Sequence, residues 1–526
     1  MKWEIITPDE REICERYHTG RLSGKLLAAS GLGDEDIRTL LDDSYHVVTS
    51  GAECVRRCAE ELVKAKTSGL KVFIAGDYDA DGICSTAIMK RTLDRLRITN
   101  GYYIPDRLKE GYGLSAATVR AAHAKGYAMI ITVDNGVRAH EAIACAHSLG
   151  MKIIVTDHHV IDEEVDADLL VHPCLMEEDY KYLCGAGVAL QISRTLIGED
   201  DEMTALAACA SIGDVMPLWR QTREIVKAGM AVLRTGRPRP LAKLLTPGSA
   251  VSETTIAFQI VPKLNSVGRM SHISNVNTVV RYLLSTDEKV QTDYCIQLGR
   301  INDLRRELSV KETADAARLD RGEKFAVLYD PSFHEGIVGL AAGKLADEFR
   351  RPVLVMAKGE GIYKGSGRAP EGFDMFSFFA DFDYLSAFGG HEAAVGLSVA
   401  EGDLERFLQD VREKMERTDF VYQEPCEKAV LITERMLNFD DVSDLERLSP
   451  YPKDLIRPYF ALRGEYRKVY ESDKLARYAI AANTEAALFK RKGLPCPDTA
   501  HVLIGRPSVN RWRNSVKIQL EIEEIS

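Results

Sequence analysis

Residues 71–82 read KVFIAGDYDADG, a short apolar run that ends in glycine and three alternating aspartates, Asp77, Asp79 and Asp81. A brief apolar run bounded by turn formers predicts a strand buried on both faces. Two later stretches repeat the pattern. YAMIITV (127–133) runs into Asp134-Asn135-Gly136, and KIIVT (152–156) runs into Asp157-His158-His159. Helical spacing fills the intervals over GICSTAIMKRTLDRL (82–96) and HEAIACAHSLG (140–150). Strands alternating with helices predict βαβ units and a parallel sheet. In such a sheet the carboxyl ends of the strands form the ligand crevice. The aspartates and histidines of all three motifs are therefore expected at one rim.

Crowded carboxylates raise one another's pKa, and a pair of divalent cations relieves the repulsion. Oxygen donors with one or two imidazoles suit Mn2+ or Mg2+, and the lack of Cys in the cluster argues against structural zinc. Two such ions serve an in-line phosphoryl displacement. A single Asp at a strand end is ordinarily a turn former or helix cap, and Asp77 or Asp157 alone fits that reading. Caps do not explain three strand ends with alternate Asp in the first and paired His in the third. Asp214, in ALAACASIGDVMPLW (205–219), reads on its own as a cap or turn before Pro217.

With 526 residues, two to four domains are expected. The net charge of −11 argues against a protein that coats nucleic acid through bulk charge, although a groove needs only local Lys and Arg. The eleven cysteines are odd in number and form no CxxC pair, which fits a reducing cytoplasm. Cys54 and Cys58 share a helix face and read as core. MKWEIITPDE lacks the basic-then-apolar pattern of a signal peptide, and no apolar stretch approaches the ~20 residues of a membrane helix. A soluble, cytoplasmic chain without membrane contact is expected.

Residues 1–60 read as helices and turns, and 185–235 as mostly helical up to GRPRP (236–240). A long charged helix is predicted over 288–320. KFAVLYD (324–330), GIVGLAAGKLADEF (336–349), PVLVMA (352–357), IYKGSG (362–367) and AAVGLSV (393–399) predict a smaller α/β domain. Beyond it, KAVLITE (428–434), LARYAIAA (475–482), AHVLIG (500–505) and SVKIQLEI (515–522) are short strand candidates that suggest a small β-barrel. Val516, Ile518, Leu520 and Ile522 alternate with polar residues, as in a half-exposed antiparallel strand. The barrel's Trp512, Tyr466, Tyr470 and Tyr478 are candidates to stack on bases or to form its core. Arg463, Arg467, Arg506, Arg511 and Arg513 are candidate phosphate contacts. GSGR (365–368) offers backbone NH groups, the Ser366 hydroxyl and the Arg368 guanidinium as an anion cradle, or is only a strand-end turn. Gly389-Gly390-His391 reads similarly. GAGVAL (185–190) is rejected as a dinucleotide loop because no G-x-G-x-x-G follows a strand there.

Taken together, GDYDADG (76–82), VDNG (133–136), TDHH (156–159) and SIGDVMPL (211–218) closely resemble the four motifs of the DHH phosphoesterase superfamily, and within it the RecJ exonucleases. IPDRLKEGYGLS (104–115), LCGAGVALQIS (183–193), PKLNSVGRM (262–270), FHEGIVGLAAGKL (333–345), KGSGRAP (364–370), FGGHEAAVGLSV (388–399) and NRWRNSVKIQLEIEEI (510–525) extend the likeness over most of the chain. Phe333, Ala369, Asn514 and the glycine-free stretch 449–460 depart from it.

The resemblance implies an α/β architecture: a parallel-sheet DHH domain, a long connecting helix, a smaller DHH-associated α/β domain and an oligonucleotide-binding barrel. The expected boundaries are 1–60 for the N-terminal helical segment, 61–240 for the catalytic domain, 241–320 for the helical connector, 321–420 for the DHH-associated substrate-binding domain and 421–526 for the barrel. It implies Asp79, Asp81, Asp134, His158 and Asp214 as metal ligands, with Asp77 ligating or supporting the second of two Mn2+ or Mg2+ ions. It implies His159 as a phosphate-positioning catalytic residue, beside Asp134 and Asp81, and Asp157 as a support behind the ligands. Arg107, Arg269, Ser366, Arg368, Gly389, Gly390 and His391 are implied as substrate contacts, with a 5′-terminal phosphate at Arg107. The implied activity is 5′-3′ exonuclease action on single-stranded DNA in repair and recombination, by a monomer that works with a helicase or single-strand-binding protein. Rival readings are a phosphodiesterase of short RNA oligomers or small nucleotides, and a non-catalytic DNA-binding scaffold.

Overall fold

The computed structural model of the chain describes residues 2–452, 455–482, 484–490, 493–512 and 515–526, with the backbone alone at 511, 512 and 515. It forms two compact units. One gathers residues 47–216 and 228–423, and the other residues 1–46, 217–227 and 424–526.

In the first unit the expected strands form as Val72–Ala75, Met129–Thr132 and Lys152–Thr156, predominantly apolar and packed against helices. Asn100–Tyr103 and Leu169–Val171 complete a five-stranded parallel sheet at its two edges. Neither edge strand is prominent in the sequence, because NGYY opens on two turn-forming residues and LLV is only three residues long. In chain order the sheet runs 2-1-3-4-5, so its winding reverses between Val72–Ala75 and Met129–Thr132. At such a reversal the connections leave in opposite directions and a crevice opens beyond the strand ends. Helix Ala80–Arg95 starts within the DADG motif and packs on Gly185–Ile197 and Asp201–Gly213.

Helix Glu288–Arg318 spans 31 residues and is capped by Asp287, whose carboxylate accepts the amides of Lys289 and Val290. It packs on Val261–Arg269 and on Val338–Phe349. Near its end Glu312 Oε1 accepts the His334 amide at 2.9 Å, and burial pushes its carboxyl up to about 7. That value lies above the ordinary 4.5, so the folded chain keeps the extra proton and loses stability as pH rises from about 4.5 to about 7. Thermal melts across this window should show the parent losing more stability than Glu312→Gln, by on the order of 2 kcal/mol. Equal slopes would refute the assignment.

The second sheet of this unit runs Ala387–His391, Ala394–Ala400, Ile362–Arg368, Val353–Lys358, Ala326–Asp330, and only the last two strands are parallel. Phe325, Phe373, Phe378, Phe379 and Phe407 pack beneath it.

In the other unit Phe460–Glu471, Leu475–Ala481, Thr484–Phe489, Ser515–Ile525 and Thr499–Trp512 pair in that order, and the last returns to the first. This five-stranded closed barrel, whose third and fifth strands in chain order, Thr484–Phe489 and Ser515–Ile525, are parallel, has the oligonucleotide-binding topology. Two corrections follow. Ser515–Ile525 is antiparallel to Thr499–Trp512 but parallel to Thr484–Phe489 on its other side, while the expected alternation holds, with Ile518, Leu520 and Ile522 buried and Val516 exposed. Residues 1–60 are not only helices and turns. Lys2–Ile6 is a strand parallel to Cys426–Leu431, and a lone short strand whose partner lies 424 positions away leaves no local signature. Among the described residues no helix is long and apolar enough to cross a membrane.

Candidate active site

Asp79 is the N-cap of helix Ala80–Arg95, and its Oδ1 accepts the amides of Asp81 at 3.0 Å and Gly82 at 3.1 Å. The capping role and the site role therefore coexist in one residue. Asp81 is clamped by the start of helix Gly185–Ile197. Its Oδ2 accepts the Gly185 amide and its Oδ1 the Ala186 amide, both at 2.7 Å. A helix N-terminus is a natural seat for an anion. Only glycine fits at 185, because a Cβ there would lie 2.5 Å from the Asp134 Cβ.

Asp134 has a φ of +61°, a left-handed conformation uncommon for non-glycine residues but tolerated by Asp. Asn135 secures the turn. Its Nδ2 donates to the carbonyls of Ala75 and Val133, and its Oδ1 accepts the Leu114 amide. Asp157 sits behind the third motif. Its Oδ1 accepts the amides of His158 and His159 and bonds His159 Nδ1 at 2.7 Å, and its Oδ2 accepts the Val137 amide. Burial alone would raise the Asp157 pKa, but these bonds and the His159 charge outweigh it and hold the carboxyl low. Burial likewise opposes charge on His159, but the bond to Asp157 prevails and raises the imidazole above its ordinary value. The Tyr112 hydroxyl donates to the Asp134 carbonyl at 3.1 Å and lies 3.2 Å from His159 Nδ1.

His158 Nε2 lies 3.2 Å from Asp134 Oδ1, 3.6 Å from Asp214 Oδ2 and 3.7 Å from Asp81 Oδ2. Despite this crowding, His158 Nε2, Asp134 Oδ1 and Asp77 Oδ1 are buried without a hydrogen-bond partner. Native proteins rarely leave such atoms orphaned in the absence of a ligand. Donor atoms of Asp77, Asp79 and Asp134 lie within 4.8 Å of one another, as do those of Asp81, His158 and Asp214, and those of Asp134, His158 and His159. Burial, reinforced by neighbouring carboxylates, pushes Asp77 and Asp134 well above the carboxylate range, raises Asp79, and brings Asp214 up to about 7. Burial pushes His158 down, toward the neutral imidazole that can ligate. The cluster thus fits two divalent cations through overlapping donor sets.

A cationic group stands in the same unit. The Arg107 guanidinium lies over the Tyr78 ring, 4.7 Å from its centroid. Its loop is held by Ser271 Oγ donating to Asp106 at 2.7 Å and by Lys364 Nζ donating to the Leu108 carbonyl at 3.0 Å. Burial and repulsion from Arg107, Arg305 and Arg368 bring Arg269 down to about 9. Ser366 Oγ and Arg368 Nη2 face Gly339, where a Cβ would sit 3.2 and 3.6 Å from them. Gly389, Gly390 and His391 lie on an exposed edge strand, and among the described residues no contact ties them to the carboxylates.

The DHH family, N-terminal domain model matches residues 71–213, and the DHHA1 domain model matches residues 322–417. The chain is 30% identical, over its whole length, to the single-stranded-DNA-specific exonuclease RecJ of Bacillus subtilis and covers 70% of that protein. This chain belongs to the RecJ family. The crystal structure of RecJ from Thermus thermophilus in complex with Mn2+ shares the fold, with a TM-score of 0.86 and 24% identity over the whole chain and 79% of that protein. A crystal structure of exonuclease RecJ bound to manganese is 30% identical over 70% of this chain and 96% of that one, with a TM-score of 0.63.

In this RecJ-family chain the barrel aromatics divide. Tyr466 and Tyr478 are buried, donating to Glu434 at 2.7 Å and to the Pro497 carbonyl at 2.8 Å, so they are core rather than stacking platforms. Tyr470 is exposed, with the Arg477 guanidinium 5.4 Å from its ring centroid. Arg506 lies over Tyr459, and Arg467 pairs with Glu465. Arg463 is exposed. The side chains of Trp512 and Arg511, and the residues Arg513 and Asn514, lie outside the described residues. Sequence reading missed Asn135 and Asn265, whose Oδ1 accepts the Ala80 amide at 2.7 Å. Both stand inside quoted motifs, but an Asn that bonds only backbone carries no chemical signature of its own.

Proposed function

We propose that this chain is a 5′-3′ exonuclease of single-stranded DNA. Two Mn2+ or Mg2+ ions would be held by Asp77, Asp79, Asp81, Asp134, His158 and Asp214. The orphaned buried atoms of Asp77, Asp134 and His158 carry this reading, together with the manganese-bound family structure. Cations bound there supply Lewis-acid charge neutralisation and an acidified water for in-line attack on phosphorus. The chain's own residues do the rest. Asp157 orients His159 and favours its charged form, so that Nε2, 3.4 Å from the Tyr112 hydroxyl, can donate to a non-bridging phosphate oxygen. Arg107, Arg269, Ser366 and Arg368 take the 5′-terminal phosphate, which sets polarity and end dependence. Gly389, Gly390 and His391 contact the next phosphates from the second sheet. The closed barrel, with Tyr470 and Arg477 outside it, supports a long single strand over a dinucleotide. The domain roles follow the expected division into catalytic, connecting, substrate-binding and barrel segments. Eleven free thiols support a reducing cytoplasm, where a helicase or single-strand-binding protein would present the strand to a monomer.

Digestion of end-labelled single strands tests the proposal. With Mn2+, 5′-phosphorylated DNA should release mononucleotides from the 5′ end, and EDTA should abolish the reaction. Release from the 3′ end, or cleavage confined to dinucleotides, would refute it.

A further inference from the structure

The third motif is held from behind by a residue outside the proposed metal set and outside the substrate contacts. His172 follows edge strand Leu169–Val171 and caps the short helix Pro173–Leu175. Its Nδ1 accepts the Cys174 amide at 3.2 Å and lies 3.0 Å from the Cys174 thiol. Its Nε2 lies 2.9 Å from the backbone carbonyl of His159. Because Nδ1 accepts, the ring proton sits on Nε2, and the imidazole is fixed as a donor to that carbonyl. The residue is only 7% exposed, so water competes poorly for the bond. Among the described residues no other donor reaches the His159 carbonyl.

The loop 157–160 is therefore braced from within by Asp157, which also accepts the Val137 amide, and from another element by His172. Asp157 fixes the His159 ring and two amides from one side, and His172 fixes the carbonyl from the neighbouring strand end. Val160, just beyond the carbonyl, is 70% exposed and adds no packing. Without His172 the peptide after His159 is free to rotate, and the rotation moves both imidazoles relative to the carboxylates. We propose that His172 is a positioning residue: its Nε2–H bond to the His159 carbonyl sets where the His158 and His159 rings meet metal and phosphate. The proposal rests on the nuclease reading of this centre and adds a residue to it.

The test compares the full-length parent with His172→Leu, which keeps bulk without a donor, and His172→Gln, whose amide restores a donor at similar reach. Steady-state kinetics on 5′-phosphorylated single-stranded DNA and calorimetric Mn2+ titration are both recorded. His172→Leu should lose ~10–100-fold in kcat, with KM within about twofold, and bind Mn2+ about tenfold more weakly. His172→Gln should recover kcat to within about threefold of the parent. An unchanged kcat in His172→Leu, or equal losses in both variants, would overturn the proposal, as would losses that follow unfolding at the assay temperature. If the parent cleaves no DNA, the nuclease reading fails by itself, and the Mn2+ titration decides. Weaker binding by His172→Leu alone then supports the anchor, and equal affinities in all three proteins overturn it.

Discussion

Asp134→Asn is expected to lower kcat by at least ~10³-fold while raising the melting temperature of the metal-free protein by about 2–5 °C. Most mutations of buried residues do the opposite to stability. The reason here is that Asp134 is buried beside Asp77, Asp79 and Asp81, with one carboxylate oxygen unpartnered, so the apo fold carries like-charge repulsion and a desolvation cost. Asn keeps the shape and deletes the charge. The same substitution removes a donor that belongs to two of the three ligand groups, as His158 also does. Saturating Mn2+ should raise the melting temperature of the parent and leave that of the variant nearly unmoved, because only a ligand bound by the native state stabilises it. Melting curves in EDTA and in Mn2+, with the digestion assay, check both halves. An Asp134→Asn protein that melts lower in EDTA refutes the apo-state strain, and one that still degrades DNA, or that Mn2+ stabilises as much as the parent, removes Asp134 from the metal set.

The same residues show how much of this centre can be read from sequence. The strand ends that carry Asp77, Asp134 and Asp157 stand out because each follows a run of apolar residues long enough to cross a buried sheet, so chemistry and topology are written side by side. Asp214 is different. It follows a helix rather than a strand, its distance from His158 is a product of tertiary packing, and only family likeness points to it. Gly185 opens a glycine-containing stretch that is rejected as a dinucleotide loop, and its role as the clamp on Asp81 is not legible, because the amides of a helix start bind any anion and sequence does not say whose. His172 is invisible for a related reason. It acts through a backbone carbonyl, and backbone partners have no side-chain code. The strand Phe460–Glu471 escapes a reading by pattern because ALRGEYRKVYE mixes charge into its alternation, and its pairing shifts register between Arg463 and Tyr466.

Arg269→Met should reduce kcat/KM for a 5′-phosphorylated strand by ~10–100-fold, corresponding to the loss of about 1.5–3 kcal/mol from one hydrogen bond between charged groups. A 5′-hydroxyl strand should be degraded by parent and variant at similar, low efficiency. Arg269 is the guanidinium most opposed by its surroundings: burial and the charges of Arg107, Arg305 and Arg368 bring it down to about 9. A cation held there without a counter-charge is costly unless an anion enters, and a terminal phosphate carries the two negative charges that three or four guanidiniums can share. Met retains the apolar stem and its packing, so the metal-free, DNA-free variant should melt at or above the parent temperature. Inorganic phosphate should raise the melting point of the parent more than that of the variant. The carboxylate and guanidinium clusters are the same device with opposite sign. On the proposed assignment each is poorly satisfied by the chain alone, so stability surrendered in the apo fold would return as affinity for cations at one cluster and for phosphate at the other. Equal losses on phosphorylated and hydroxyl ends would show that Arg269 serves the fold rather than the strand end, and the 5′ polarity would need another source.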